Sequence, residues 1–286
     1  MIGRIFSILR FGRTSRVVAI VRLDGIIGNA GAFRAGLTDD RLGPVIDRAF
    51  RIKGLKALAL VINSPGGSPV QSALIHDRIR RLSNEKNVPV LAFVEDVAAS
   101  GGYWLAISAD EIFVNCNSIV GSIGVIYSGF GFSRAMEKIG VERRLYTAGQ
   151  KKSMLDPFSP EHSEDIKKLT IIQNEMHQNF INAVRGRRGQ RLKGDNSELF
   201  SGEFWLGKQA MEYGLVDSLG ELVSVLKERF GDDVKMRKVA LRRSWFRRRF
   251  PMLGVSDIQL SEIGENLALN ALSAIEKRSL WGKYGL

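Results

Sequence analysis

The stretch VPVLAFVEDVAASGGYW, residues 88–104, sets the reading of the whole chain. Its first part, VPVLAFVED (88–96), is an apolar run of strand length, as in a strand covered on both faces. Its second part sets one small hydroxyl, Ser100, between Ala98–Ala99 and Gly101–Gly102, with bulky residues held back. GGYWLAISADE (101–111) then reads as a short buried helix. A serine between strand and helix falls where parallel α/β sheets place ligands, beyond the carboxyl ends of the strands. A sharp turn there would hold the serine outward, as strand-to-helix turns do in serine hydrolases. The N–H of Gly101 would face an oxyanion formed by attack of Ser100. Serine before Gly-Gly is also good turn and N-cap chemistry. On this stretch alone the turn is the better reading.

Working outward, LKALALVINSPGG (55–67) is a second apolar strand running into a glycine turn. The glycines of INSPGG (62–67) leave N–H groups unblocked, and such a turn can aim one at developing negative charge. It can equally be a plain strand-to-helix turn. SPVQSALIHDRIRRLSNEK (68–86) reads as an amphipathic helix with Val70, Leu74, Ile75, Ile79 and Leu82 on its apolar side. If the two strands are parallel neighbours, both turns reach one edge of the sheet.

Further strands are expected at VVAIVRLDGIIG (17–28) and EIFVN (111–115), and SIVGSIGVIYSGF (118–130) mixes strand character with glycines. VERRLYTAG (141–149) reads as strand and loop. Helices are expected at 40–52, 132–140 and 159–189, the last with Ser159 as N-cap and Pro160 at its first position. Residues 256–279 could form a final amphipathic helix. Repeated strand–turn–helix units predict an α/β fold with a mostly parallel sheet and crossover helices.

A serine nucleophile needs a base. His76, His162 and His177 fall in helices without a triad pattern and read as helical surface positions. A Ser–Lys pair is the alternative. A lysine acts as base once burial or a nearby cation brings its pKa down from about 10.4. AGQKKSMLDPFSP (148–160) offers Lys151 and Lys152 beside Met154, Leu155 and Phe158. The residue types alone do not choose between the two lysines.

The formal charge of +12 over 286 residues is concentrated at two places. Residues 1–16 and 235–250 carry the whole excess, each arginine-rich and interleaved with large apolar side chains. That mixture suits an anionic membrane surface. Solvated basic tails fit equally well, and no nucleic-acid module signature appears. No apolar run is long enough for a transmembrane helix. The N-terminal run, broken by Arg10, lacks a cleavage site. Cys116 is the single cysteine, so neither an intramolecular disulfide nor a cysteine metal cluster is expected. A cytoplasmic protein, peripheral at most on the inner membrane face, is the expectation.

INSPGGSP (62–69), VEDVAASGGYWLA (94–106), VGSIGV (120–125), GQKKSMLDPF (149–158) and FWLGKQAMEYGLVDSLG (204–220) together resemble the signal peptide peptidase A (SppA/SohB-like) family of serine proteases. The likeness covers about residues 17–230, in the family's order and with a single repeat. It implies a Clp/crotonase-like fold of repeated β-β-α units. It implies Ser100 as nucleophile, Lys152 as general base and Ser122 as the residue orienting that lysine. Gly101 and Gly67, the latter in preference to Gly66, match the oxyanion donors, and Asn63 matches the turn-forming asparagine. The implied reaction is cleavage of signal peptides or other extended hydrophobic peptides through an acyl-enzyme, without metal or other cofactor. Relatives form ring or dome-shaped homo-oligomers in which serine and lysine can come from neighbouring subunits.

The expected organisation is a leader (1–16), a peptidase domain (17–230) and a basic segment with a C-terminal helix (231–286). Two other readings remain. A crotonase-like acyl-CoA enzyme shares the paired backbone donors, but no acidic pair stands out. A non-catalytic membrane-associated scaffold would not need Ser100, Ser122 and Lys152 together.

Overall fold

A computed structural model describes residues 16–28, 36–149, 151–240 and 278–285. The first half of the chain alternates strand and helix: β1 (Val17–Asp24), α1 (Asp39–Phe50), β2 (Leu55–Ser64), α2 (Pro69–Lys86), β3 (Val90–Ala99) and α3 (Gly101–Ala106). Short strands β4 (Glu111–Val114) and β5 (Ile119–Gly121) precede α4 (Ser133–Lys138) and the long α5 (Ser163–Arg188). The remainder comprises α6 (Asn196–Leu199), β6 (Phe204–Leu206), α7 (Gly207–Glu212), β7 (Ser218–Leu219), α8 (Leu222–Phe230) and β8 (Lys235–Lys238).

The fold is α/β, with one sheet ordered β6-β5-β3-β2-β1-β8, parallel except where β6 runs against β5. The apolar runs are continuous because the central strands are covered on both faces. Ala19, Val21 and Leu23 of β1 join Leu58, Leu60 and Ile62 of β2 in the core beneath α1, α2 and α3. The alternate residues Val18, Ile20, Ala57, Ala59 and Val61 meet Leu226 of α8 on the other face.

β3 changes partner along its length. Leu91–Val94 pair with β4, whereas Val97–Ala99 pair with β5. The register between β2 and β3 shifts at the same level, from Ile62 opposite Val94 to Ser64 opposite Ala98. Asn63 closes that irregularity: its Oδ1 accepts from Val97 N–H at 3.2 Å and its Nδ2 donates to Asp96 at 2.9 Å.

Several expectations change. β3 runs on to Ala99, and α3 ends at Ala106 rather than 111. The buried face of α2 is Ser72, Ile75, His76, Ile79, Leu82 and Ser83, while Val70 and Leu74 face outward. Packing of α2 against α3, which needs the small Ser72 near Gly101, sets this rotation. α5 starts at Ser163 after His162, because Ser159 is engaged in a turn with Asp156 through its N–H and hydroxyl. Residues 141–149 form no strand, since they lie on an exposed arm with no sheet edge to pair with. The sheet also extends past residue 230. Lys235–Lys238 pair with β1 as an edge strand whose outward charges discourage further strand addition. The expected helix at 256–279 and the leader lie almost wholly outside the described residues.

The C-terminal half of α5 is fastened to the sheet body. Trp104 of α3 stacks on Phe180 with centroids 4.6 Å apart. Arg187 donates to the carbonyls of Ile107 and Ala109. Buried Arg188 donates to Asp217 through two N–H groups at 2.8 and 3.0 Å and to Gly214 O. Burial alone would raise the Asp217 carboxyl, but Arg188, the Ile112 N–H and Arg191 outweigh it and hold it below the usual carboxylate range.

A carboxyl depressed in the fold adds stability above its unfolded pKa, about 3.9, and that stability is lost as pH falls through the folded value. Asp217→Asn leaves a buried guanidinium without its counter-charge and is expected to cost about 3 kcal/mol at pH 7 in urea unfolding. The difference from the native chain should shrink steadily below about pH 4. A difference unchanged down to pH 3 would rule out the ion pair as its source.

Candidate active site

Ser100 occupies the N-cap position of α3 at φ 52° and ψ −124°, a conformation costly for a residue with a Cβ. Its carbonyl accepts from the N–H groups of Tyr103 and Trp104, while its hydroxyl makes no capping bond. The cap is therefore a backbone cap, and the hydroxyl is left over. The Ser100 N–H donates to Gly121 O at 2.8 Å, tying the turn to the end of β5.

The second glycine turn lies against the first. Gly66 has φ 106° and Gly67 φ 142°. A Cβ on Gly66 would sit 2.8 Å from Ser100 Cβ and 2.9 Å from Gly101 N, so only glycine lets the turns close. Ile27 pins the loop, donating to Gly66 O and accepting from Ser68 N–H, both at 2.9 Å. A Cβ on Gly101 would lie 3.4 Å from Gly67 N. Among the described residues, neither the Gly67 nor the Gly101 N–H has a protein acceptor. Two unspent backbone donors thus lie close to one unspent hydroxyl.

Ser122 follows Gly121 at φ 52°, with its N–H bonded to Glu203 O at 2.6 Å. The next residue, Ile123, accepts through its carbonyl from His177 Nε2 of α5 at 2.9 Å. His177 gave no chemical signal in the sequence. Its helical stripe with Phe180, Val184 and Arg188 does point it toward the body. His76 is buried rather than on the surface, and burial pushes its imidazole down, toward the neutral form. His162 caps α5. No histidine hydrogen-bonds Ser100 among the described residues.

Ser100, Gly66, Gly67, Gly101 and Ser122 come together, with Asn63 supporting the strand ends. Lys152 makes no hydrogen bond to any of them among the described residues. It lies exposed in a turn at residues 151–155, as does Lys151, and its side chain has no hydrogen bond or ion pair among the described residues. The arm carrying it folds on itself: Arg143 pairs with Asp156 at 3.0 Å and lies 4.7 Å over the Phe158 ring, and Phe132 N–H donates to Pro157 O. Ile126, Tyr127, Phe130, Ile139, Val141 and Tyr146 remain exposed along it.

The geometry has counterparts in known proteins. The model of Peptidase family S49 matches residues 83–234. A protein named Na(+)/H(+) antiporter NhaA from Brucella melitensis is 44% identical over 97% of this chain, and the match covers 38% of that protein. Protease 4 of Haemophilus influenzae is 31% identical over 71% of this chain and 32% of its own length. The chain thus spans less than two fifths of either relative. A solved structure of a membrane-bound stomatin-specific protease, a mutant in complex with a substrate peptide, covers 82% of this chain and 95% of its own at TM-score 0.50 and 16% identity, which shows a shared fold. No described helix is long and apolar enough to cross a membrane. With more than half of its length matched, the Ser100 turn included, this chain belongs to peptidase family S49.

Proposed function

We propose that the chain is a serine endopeptidase acting on extended hydrophobic peptides through a Ser100–Lys152 dyad. The observation that carries this reading is the strained Ser100 turn, whose hydroxyl is not used for capping and whose neighbours Gly67 and Gly101 have unspent N–H groups. Ser100 Oγ attacks the peptide carbonyl, and the two N–H groups receive the oxyanion. Each such donor is typically worth about 3 kcal/mol in the transition state. Lysine takes the serine proton, passes it to the leaving amine, and water then releases the acyl group.

Lys152 reaches Ser100 from a second copy of the chain. A lysine gives up its proton near neutral pH only where it is shielded from water. On its own arm Lys152 is exposed, and the apolar residues along that arm offer a surface for another subunit. Ser122 is the proposed orienting partner of the incoming amine.

Ser100→Ala and Lys152→Ala should each lower hydrolysis of a fluorogenic hydrophobic peptide by at least about a thousandfold. Mixing the two inactive variants under conditions of subunit exchange should restore activity, since one brings the serine and the other the lysine. Absence of recovery after verified exchange would place the lysine in the same chain as its serine. Gly66→Ala should also abolish cleavage, through the clash with Ser100 Cβ, and full activity in that variant would contradict the close packing of the two turns.

A further inference from the structure

Ser64 ends β2 wholly buried and takes no part in the proposed proton transfers. It does not cap α2, since Ser68 holds that position and accepts from Gln71 N–H. Its Oγ accepts instead from the buried Gly66 N–H at 3.3 Å. The Gly66 carbonyl is held separately by Ile27 N–H at 2.9 Å. Both backbone groups of Gly66 are thus committed, one to a side chain and one to a neighbouring backbone.

Ile27 also accepts from Ser68 N–H, so it bonds on either side of Gly67, in the manner of a parallel ladder. In that pattern the N–H of Gly67 itself faces away from Ile27. The Cβ position of Gly101 lies 3.4 Å from the Gly67 nitrogen, which places the two free donors side by side. The arrangement needs Gly66 at φ 106°. Glycine does not hold such an angle unaided, because it visits both signs of φ about equally. Turning over the Pro65–Gly66 peptide would exchange a turn with positive φ at its third residue for one without. The Ser64 hydroxyl opposes that exchange, since a turned-over Gly66 N–H would lose its buried acceptor.

We propose that Ser64 is a positioning residue for the oxyanion donors, its hydroxyl holding Gly66 so that the Gly67 N–H, and not the Gly66 N–H, faces the carbonyl attacked by Ser100. This rests on the peptidase reading of the site. Space around Ser64 is also tight, since a Cβ on Gly102 would lie 2.3 Å from Ser64 O and 3.2 Å from Ser64 Cβ. A small side chain is therefore needed whatever its chemistry. Alanine keeps the small volume and removes the acceptor. Cysteine keeps the shape and accepts only weakly.

The test compares the full native chain with Ser64→Ala and Ser64→Cys. Ser64→Ala should lower kcat for a fluorogenic hydrophobic peptide by at least about tenfold and leave KM within about twofold, the mark of an interaction made only in the transition state. A peptide aldehyde of the same sequence forms an adduct with Ser100 that carries the same oxyanion. Its binding should weaken by the factor that kcat/KM loses. Ser64→Cys should behave as Ser64→Ala. Native-like activity in Ser64→Cys would reduce Ser64 to a filler of space and overturn the proposal, as would a loss in Ser64→Ala confined to KM. A native chain that cleaves no peptide would overturn the peptidase reading and this role with it. A native chain that cleaves, with Ser64→Ala equally fast, would overturn this role alone.

Discussion

The hydrogen bond from Ser100 N–H to Gly121 O holds the rest of the site in place. It fixes a non-glycine residue at positive φ, which costs about 1–3 kcal/mol by itself. Surrounding structure removes the alternatives. The Ser100 carbonyl is committed to the first turn of α3, Gly66 closes against the Ser100 side chain, and β5 cannot shift without losing its pairing to Val97–Ala99. The conformation that presents the hydroxyl is thus paid for by the sheet, and both glycine turns inherit their positions from it.

Much of this frame was legible as residue pattern. Three apolar runs, two of them ending in glycine turns, gave the parallel sheet and put both turns at one edge. The pattern misled where local chemistry and tertiary demand diverge. Glu95 and Asp96 break the apolar run and suggested that the strand had ended, yet β3 continues through Val97–Ala99 where it leaves β4 for β5. Lys235–Lys238 looked like part of a basic surface segment, although an edge strand tolerates that composition well. Val70 and Leu74 fit an apolar helix face that turned out to point outward, because Ser72 and His76 supply the close approach to the core.

The proposed site divides into a part held by the sheet and a part carried on the arm. Ser100 and the backbone donors belong to the sheet, with His177 bracing the Ser122 loop from α5. Lys152 belongs to an arm that leaves the body after Ile123 and returns as α5. The assignment of Lys152 over Lys151 came from family resemblance, since neither burial nor contacts distinguish the two side chains. In the proposed dyad, subunit association would bring Lys152 to a serine whose turn the sheet already sets.

The central claim is that Ser100 is a reactive serine made so by its turn. Its most direct test is treatment of the full chain with a fluorophosphonate followed by peptide mapping in a mass spectrometer. The account predicts a single covalent adduct on Ser100. A chain that stays unlabelled when correctly folded and assembled, or that is labelled at another serine, would contradict it.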